Sequence, residues 1–567
     1  MVRLMSPRIS LSAALWVAAS VVATAQEWQW AKTFGQGSGQ DQGRIAQDGV
    51  GNLYMTGDFS SMMFGTDSLS ALPCIPFMKM NRMGEVVWLE QPVRVSQTSC
   101  GTGNDFGAPY VAVHPAGSAV YFSGTMCSSW DFGPYNVSDD TSGAQVFLAS
   151  YNADGVCNWA RSFGSEEDDH VRDMESTPDG DILIMYSGGA TIVDGVVILE
   201  GESILKFSSS GTCEWAVQMP TYPEGSVTLM EPVDDGFYVH GRTYSNFGGQ
   251  LQFDTVFVDV SVRKLVLAKF NYLGRALWGK AYGESLTAGP TAYVSAMAVN
   301  DHGVVVVGDK MYLDTMVLGM DTLVGDDPLF MVRFDPNGEY IRSTTTGGGY
   351  GPNLAPMDMA IGTSDDVYLL GRLRAGNVGD SIDIGGCTSV IAGFEWASML
   401  LAHVDADGRC IELVRTEIDS YSPLQPNVPL EGWSLVLDPD EQPVVCGQFR
   451  GTAWFDGMAL VGNSLDQDVF IAKVNALDGI PPWELDELLL YANPNQGSFR
   501  IKVPTGLRNE VDLLLSVFDS SGRLVRARQL DMSGGDPRMD VSGVAPGLYK
   551  VTLSKGDRIY HGSMVVE

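Results

Sequence analysis

DGVGNLYMTGDF, residues 48–59, sets an Asp-Gly-x-Gly turn before a short run of β-formers and closes it with another glycine. Alone it is half of a hairpin. But it returns, as GSAVYFSGT (117–125), GDILIMYSG (180–188), DGFYVHGR (235–242), HGVVVVGDK (302–310), DDVYLLGRL (365–373) and EQPVVCGQF (441–449). Seven copies about 65 residues apart mark a repeat architecture.

A second element keeps step with the first: FMKMN (77–81), VFLASYN (146–152), SILKFS (203–208), LVLAKFN (265–271), LFMVRFD (329–335), MLLAHVD (399–405) and VFIAKVN (469–475). Each runs into an Asn/Asp/Gly turn, which is a hairpin signal. After six of these turns a partner strand follows: VVWLEQ (86–91), CNWARSF (157–163), CEWAVQM (213–219), ALWGKAY (276–282), YIRSTTT (340–346) and CIELVRT (410–416). The seventh turn leads into IPPWELDE, whose prolines oppose a paired strand. The matching strand stands at the other end of the chain, where WQWAKTFG (28–35) parallels CNWARSFG. A strand such as GRIAQD (43–48) precedes the quoted turn and completes four strands per repeat.

The expected fold is all-β. Residues 26–478 form a seven-bladed β-propeller closed by an N-terminal outer strand, which leaves only short protected edges. The repeats resemble a bacterial β-propeller family whose units read W-x-K-x-FG, then D, then GN-x-Y-x-TG. The matching residues are Trp30, Lys32, Phe34, Gly35, Asp41, Gly51, Asn52, Tyr54, Thr56 and Gly57. The strands at 340–346 and 410–416 lack the Trp.

The N-terminus carries Arg3 and Arg8, an apolar run from Leu11 to Val22, and Ala23-Thr24-Ala25. This is a secretory signal peptide over 1–25, with cleavage between Ala25 and Gln26. The run is shorter than the roughly 20 residues a membrane span needs, so no transmembrane segment is expected. A net charge of −34 excludes nucleic acid, whose phosphates need clustered Lys and Arg. Eight cysteines in an exported chain favour disulfides. Cys157, Cys213 and Cys410 each open an outer strand in a different blade, too far apart to bond one another. A bond from Cys100 to Cys74 or Cys127 is expected instead.

From residue 488 the pattern changes, after a linker over 479–487. LLLYANPNQGSFRIKV, LLLSVFDSSGRLV, VSGVAPGLYKVTL and IYHGSMVVE predict a small Ig-like antiparallel β-sandwich. Motif by motif it resembles the C-terminal sorting domain of type IX secretion. The matches are Asn493, Pro494, Asn495 and Gly497, then Asp519, Gly522 and Arg523, then Pro546, Gly547 and Tyr549, and Val565-Val566 at the end. The usual Y-P-N-P reads Tyr491-Ala492-Asn493-Pro494, and Ser563 stands where a Lys is common. The resemblance implies export through the periplasm and across the outer membrane, with the type IX machinery as partner.

Chemistry is sparse. G-x-S-x-G, H-E-x-x-H and P-loop motifs are absent. His240, His302 and His403 fall in or beside repeated strands, which accounts for them. Asp168-Asp169 and Asp326-Asp327 sit in loops, where solvated carboxylates are the rule. The turns at 152–155, 335–338 and 405–408 look faintly like calcium loops, but the full ligand pattern is missing and hairpin turns use the same residues. No catalytic residue, cofactor or metal site is expected. Asp-Ser/Thr-apolar triplets at Ser68, Thr255, Thr315, Thr322 and Ser381 resemble O-glycosylation acceptors of exported bacterial proteins.

The resulting expectation is a cell-surface or secreted binding or adhesion module for an extracellular glycan or protein. The alternatives are an extracellular glycan-acting enzyme or a structural surface component. Convergent carboxylates or histidines at the channel would favour the enzyme; the sequence discloses none.

Overall fold

The computed structural model describes residues 28–566 apart from 38–42, 58–61, 65–66, 70–74, 96–105, 139–142, 222–223, 244–248, 261–264, 286–291, 311–315, 320, 324–328, 348–353, 375–380, 391–396, 419–429, 456–457, 463–466, 475–488, 492–496, 503–512, 519–523, 531–536, 542 and 556–557. The chain divides into two compact units, Met1–Leu477 and Asp478–Glu567. The described residues are all-β, with no helix.

In the first unit six antiparallel sheets have four strands each; a seventh has six, of which four repeat the same arrangement. The opening sheet shows the pattern: Arg44–Gln47, Leu53–Thr56, Phe77–Met80 and Val86–Glu90 pair in chain order. The seven opening strands lie beside one another in a cycle: Arg44–Gln47, Phe106–Val113, His170–Ser176, Gly225–Val233, Ala292–Asn300, Leu354–Ile361, Glu431–Leu437, and back to the first. The last sheet takes its fourth strand from the start of the chain. Trp28–Gly37 pairs with Gln467–Val474, with Trp30 opposite Lys473 and Phe34 opposite Val469.

The quoted turn is held by its own aspartate. Asp48 is buried; Oδ1 accepts from the backbone N–H of Val50 and Asn52, at 3.1 and 2.8 Å, and Oδ2 from the Asn52 amide at 2.8 Å. Gly51, with φ +89°, turns the chain where an L side chain is strained.

The Trp–Gly signature joins neighbouring sheets. Four outer-strand indoles donate to a carbonyl in the next sheet's hairpin turn: Trp30 to Arg82, Trp88 to Ala153, Trp159 to Ser209 and Trp215 to Tyr272. The ring covers the turn's glycine; a Cβ on Gly155 would lie 2.9 Å from Trp88. Where the Trp is missing, Arg342 takes its register and reaches Asp407 of the next turn at 2.7 Å. Trp30, on the borrowed strand, makes this bond from the last sheet to the first.

The length of the repeat has a cause not visible in the motif. Between the second and third strands of every sheet the chain inserts a further hairpin, such as Thr191–Val193 with Val196–Ile198 or Gly249–Phe253 with Val256–Val260. Three of these hairpins gain a third strand from the chain leaving the preceding sheet: Val93–Arg94, Glu284–Ser285 and Glu417–Ile418. The extra length of each repeat is therefore largely strand.

One disulfide uses this layer. Cys387, first residue of a hairpin strand, bonds Cys410, first residue of the outer strand in the same repeat, with Cα atoms 5.5 Å apart. Cys410 thus pairs inside its own repeat. Cys127 is also disulfide-bonded; Cys74 and Cys100 lie outside the described residues. Cys157, Cys213 and Cys446 are free and buried, so the even count does not translate into full pairing. Cys213 opens an outer strand as Cys410 does, and Val196 holds the position of Cys387. Val196→Cys is expected to bond Cys213 and to stabilise by about 3 kcal/mol. Thiol titration of the denatured protein then falls by one, whereas Ile192→Cys, on the other hairpin strand, adds one.

The second unit holds two antiparallel sheets. Leu489–Tyr491, Ser498–Lys502 and Arg538–Asp540 form one; Leu524–Leu530, Leu513–Phe518, Gly547–Lys555 and Arg558–Val566 form the other. Phe499, Ile501, Leu515, Val517, Val551 and Met564 are among its buried core.

Candidate functional site

All seven opening strands line one lumen of about 720 Å³. Six of them carry a β-bulge; in Phe106–Val113 it precedes Tyr110, and in the other five it falls at Arg172, Thr228, Ser295, Met357 and Trp433. A bulge re-aims a side chain without ending the strand, and all five residues line the lumen.

The residue after each of these five shares one register: Asp173, Leu229, Ala296, Asp358 and Ser434. Two of these stitch strands together. Asp173 accepts from its own neighbour Met174 N–H at 3.0 Å and, across to the next strand, from Met230 N–H at 3.1 Å. Asp358 repeats this with Met359 at 2.8 Å and Leu435 at 2.7 Å. Tyr110 gives its hydroxyl to the Arg172 carbonyl at 2.6 Å, and the Arg44 guanidinium lies 3.9 Å over the Tyr110 ring.

Two residues further along stand Glu175 and Glu231, on adjacent strands. Neither carboxylate has a hydrogen bond or ion pair among the described residues. The same tier elsewhere is small and apolar: Ala46, Ala112, Ala298, Ala360 and Val436. This tier is thus acidic on one side and aliphatic around the rest.

Burial penalises charge here. It pushes Asp173 and Asp358 up to about 6; the Asp358 charge adds to the shift of Asp173, and Arg44 and the N–H bonds oppose it. Glu175 rises well above the usual carboxylate range through burial, then through Asp173 and Asp358. Glu231 does so through burial, then through Glu175, Asp173 and Asp358. All four keep part of their surface on the lumen.

Such a raised folded-state pKa has a defined sign. The glutamate costs stability above its folded pKa and costs nothing below its unfolded value, about 4.3. Glu231→Gln should therefore stabilise at pH 8 and not at pH 4. Each tenfold difference in proton affinity between the folded and unfolded states is worth about 1.4 kcal/mol. Paired thermal melts at the two pH values check this; an equal change at both would contradict it.

The other expected residues fall elsewhere. His240 is buried in a strand, bonded to the Tyr282 hydroxyl at 2.6 Å, and burial lowers it to about 3. His403 stacks on Tyr368 at 4.3 Å and meets Asp366; His302 meets Asp365 at 2.9 Å. Asp169, expected to be solvated, is fully buried and takes bonds from Tyr186, Ser165 and Gly189. Those donors converge on one loop, and the carboxylate inside it satisfies all of them. Asp326 and Asp327 lie outside the described residues.

The turns weighed for calcium spend their key oxygen locally. Oδ1 of Asn152, Asp335 and Asp405 each accepts two backbone N–H groups. No group of three or more His, Cys, Asp or Glu suited to a metal occurs among the described residues. Ser68, Thr255, Thr322 and Ser381 are all on the inserted hairpins, in different repeats, with Thr255 and Thr322 exposed. Thr315 and the cleavage pair Ala25 and Gln26 lie outside the described residues.

Of the sorting motif, Gly497 sits at φ +89° and its carbonyl accepts from Val541 N–H at 2.7 Å. Tyr549 is 7% exposed and donates to the Ala545 carbonyl at 2.6 Å; Gly547 opens its strand. Asn493, Pro494, Asn495, Asp519, Gly522 and Arg523 lie outside the described residues.

Residues 489–567 match the family described as the secretion system C-terminal sorting domain. The C-terminal unit is a type IX sorting domain. The sorting domain indicates recognition by the secretion machinery and export across the outer membrane, to the cell surface or the medium. No helix among the described residues is long and apolar enough to cross a membrane.

No curated protein matches the chain. Among solved structures, a Dyadobacter fermentans protein of unknown function is similar at TM-score 0.35 and 12% identity, over 68% of this chain and 97% of that one. The phage phi92 endosialidase gives 0.35 and 10%, over 95% and 87%. An ulvan lyase gives 0.29 and 9%, over 94% and 97%. Likeness at this level carries no argument about function.

Proposed function

We propose that the chain is an exported cell-surface or secreted binding module, built as a seven-bladed β-propeller closed by its N-terminal strand. Its ligand sits in the lumen. One observation carries the reading: seven opening strands, cyclically adjacent, converge on a single lumen whose bulges present Arg172, Thr228, Met357 and Trp433. Concave sites of mixed apolar and polar lining are where small ligands and chain ends bind. The test is binding of the full mature chain to glycans and extracellular matrix proteins, with Thr228→Trp as a plug in the exposed lumen lining. A hit abolished by the plug supports the lumen; a hit indifferent to it moves the site to the outer surface.

A second reading has its own observation. Glu175 and Glu231 are neighbouring carboxylates with raised pKa, a pattern suited to acid–base work on a glycan. Turnover of a polysaccharide panel, lost in Glu175→Gln, would favour the enzyme.

A further inference from the structure

We infer that the edge of the inserted hairpin strand Gly249–Phe253 takes an extended segment of another polypeptide as an added antiparallel strand, one carrying Lys or Arg rather than Asp or Glu. None of these residues lines the lumen. Which backbone groups are on offer follows from the turn. Phe253 and Val256 flank a two-residue turn, Asp254-Thr255, with Asp254 at φ +50°. In such a turn the flanking residues are a hydrogen-bonded pair, and the bonds alternate from there along the ladder. Gly249, Leu251 and Phe253 therefore spend their backbone groups on Val260, Val258 and Val256, while Gln250 and Gln252 direct theirs to the other side. No strand pairs on that side among the described residues.

The register says what fits there. Asp131, Val317, Asp383 and Trp454 hold the place of Gln252 in four other inserted hairpins. Each is paired on that side, antiparallel, to Val93, Glu284, Gly347 and Glu417. Extended backbone is thus what this edge accepts elsewhere in the molecule. Chain length explains the difference. The connections that supply a separate third strand run over 91–105, 283–291 and 416–430, but the sheet carrying Gly249–Phe253 is reached over 219–224 alone. There the chain turns at once into the next strand, with Glu224 N–H bonded to the Thr221 carbonyl at 3.0 Å. The connection 164–169 is as short, but Thr191 gives its hydroxyl to the Gly164 carbonyl and ties the corresponding edge to the chain beside it.

Proteins guard open edges with charge, proline or a bulge, and Gly-Gln-Leu-Gln-Phe has none of these. Leu251 and Phe253 are each 1% exposed, which fixes the register of the strand and turns Gln250 and Gln252 outward. Added strands of this kind gain affinity from main-chain bonds and specificity from alternate side chains. Asp259 is exposed beside Gln250 on the outward face, in a chain of net charge −34, so a cationic side chain on the added strand is favoured. The edge faces the preceding repeat, the side from which the chain's own strands come elsewhere. That approach suits a slender segment better than a second folded copy.

Fluorescence anisotropy with the full mature chain tests this. The probe is a labelled peptide, Thr-Val-Lys-Val-Lys-Val-Thr, whose lysines and valines alternate between the two faces. Saturable one-to-one binding is expected, at least tenfold weaker in Gln252→Pro, which removes an outward N–H and leaves the ladder to Val256–Val260 its own bonds. N-methylation of both lysine amides in the probe should weaken binding as much, and N-methylation of two valines should not, because only alternate N–H groups meet the edge. Glu in place of both lysines should also weaken it at least tenfold. Thr228→Trp should change nothing, so this site and the lumen stand or fall separately. The inference is overturned by no saturable binding, by equal affinity in Gln252→Pro, by indifference to the position of the methyl groups, or by equal binding of the Glu probe. Sedimentation equilibrium of the chain alone adds one more outcome: a dimer lost in Gln252→Pro would give the edge to a second copy and overturn the partner named here.

Discussion

Deleting residues 26–37 is expected to abolish the cooperative melt of the first unit, and Trp30→Ala alone to cost about 3–5 kcal/mol. The strand those residues form does two separate things. Along its length it pairs with Gln467–Val474, covering an otherwise open sheet edge. Trp28 and Phe34 are 6% exposed, and the Trp28 ring meets Phe455 edge-on at 4.8 Å. At its other face Trp30 donates to the Arg82 carbonyl and covers Gly84, in the first sheet. Arg82 in turn meets Asp438, which also binds Lys473, so charge joins the same two sheets.

A control tells ring closure from ordinary core packing. A permutant that moves residues 26–37 to follow the sequence NALDG, residues 475–479, restores the strand as the regular fourth member of its sheet. Its melt should match that of the wild type. If the deletion melts like the wild type, or the permutant fails to fold, the closing role of this strand is wrong.

The Trp and Gly of the repeat were legible because one contact demands both. An indole laid on a turn allows no Cβ beneath it, so the two residues recur together and at fixed spacing. The inserted hairpins left a weaker trace. Their strands run as short as three residues, as in Trp130–Phe132, too few to show alternation. The residues lining the lumen were missed for a different reason. DME, LME, AMA and DMA at 173–175, 229–231, 296–298 and 358–360 share one register around a methionine, and that signal was available. But the bulges before them break the period-two pattern, and which side chains converge depends on closing a cycle across the whole unit. Cys387 escaped notice because its partner is set by the hairpin packing on the outer strand, not by spacing.

A chain ending at Glu487 is expected to lose surface or extracellular delivery altogether and to accumulate in the periplasm. The first unit has its own sheets and cores, so the truncated protein should still fold there, and a wild-type melt of the retained protein would show it. Delivery then depends on the sandwich as a folded object, not only on a short signal. Tyr549 is part of its core and fixes the approach to the strand Gly547–Lys555 through the Ala545 carbonyl. Tyr549→Ala removes a large buried side chain, at about 3–5 kcal/mol by analogy with other aromatics, and should reduce delivery by unfolding the unit. Tyr549→Phe keeps the ring, loses only the hydroxyl bond at about 1 kcal/mol, and should be exported nearly as well as the wild type. If Tyr549→Phe blocks export as fully as the truncation does, Tyr549 is read directly by the secretion machinery. If even the truncation is delivered to the surface, export runs by a route that the C-terminal unit does not control.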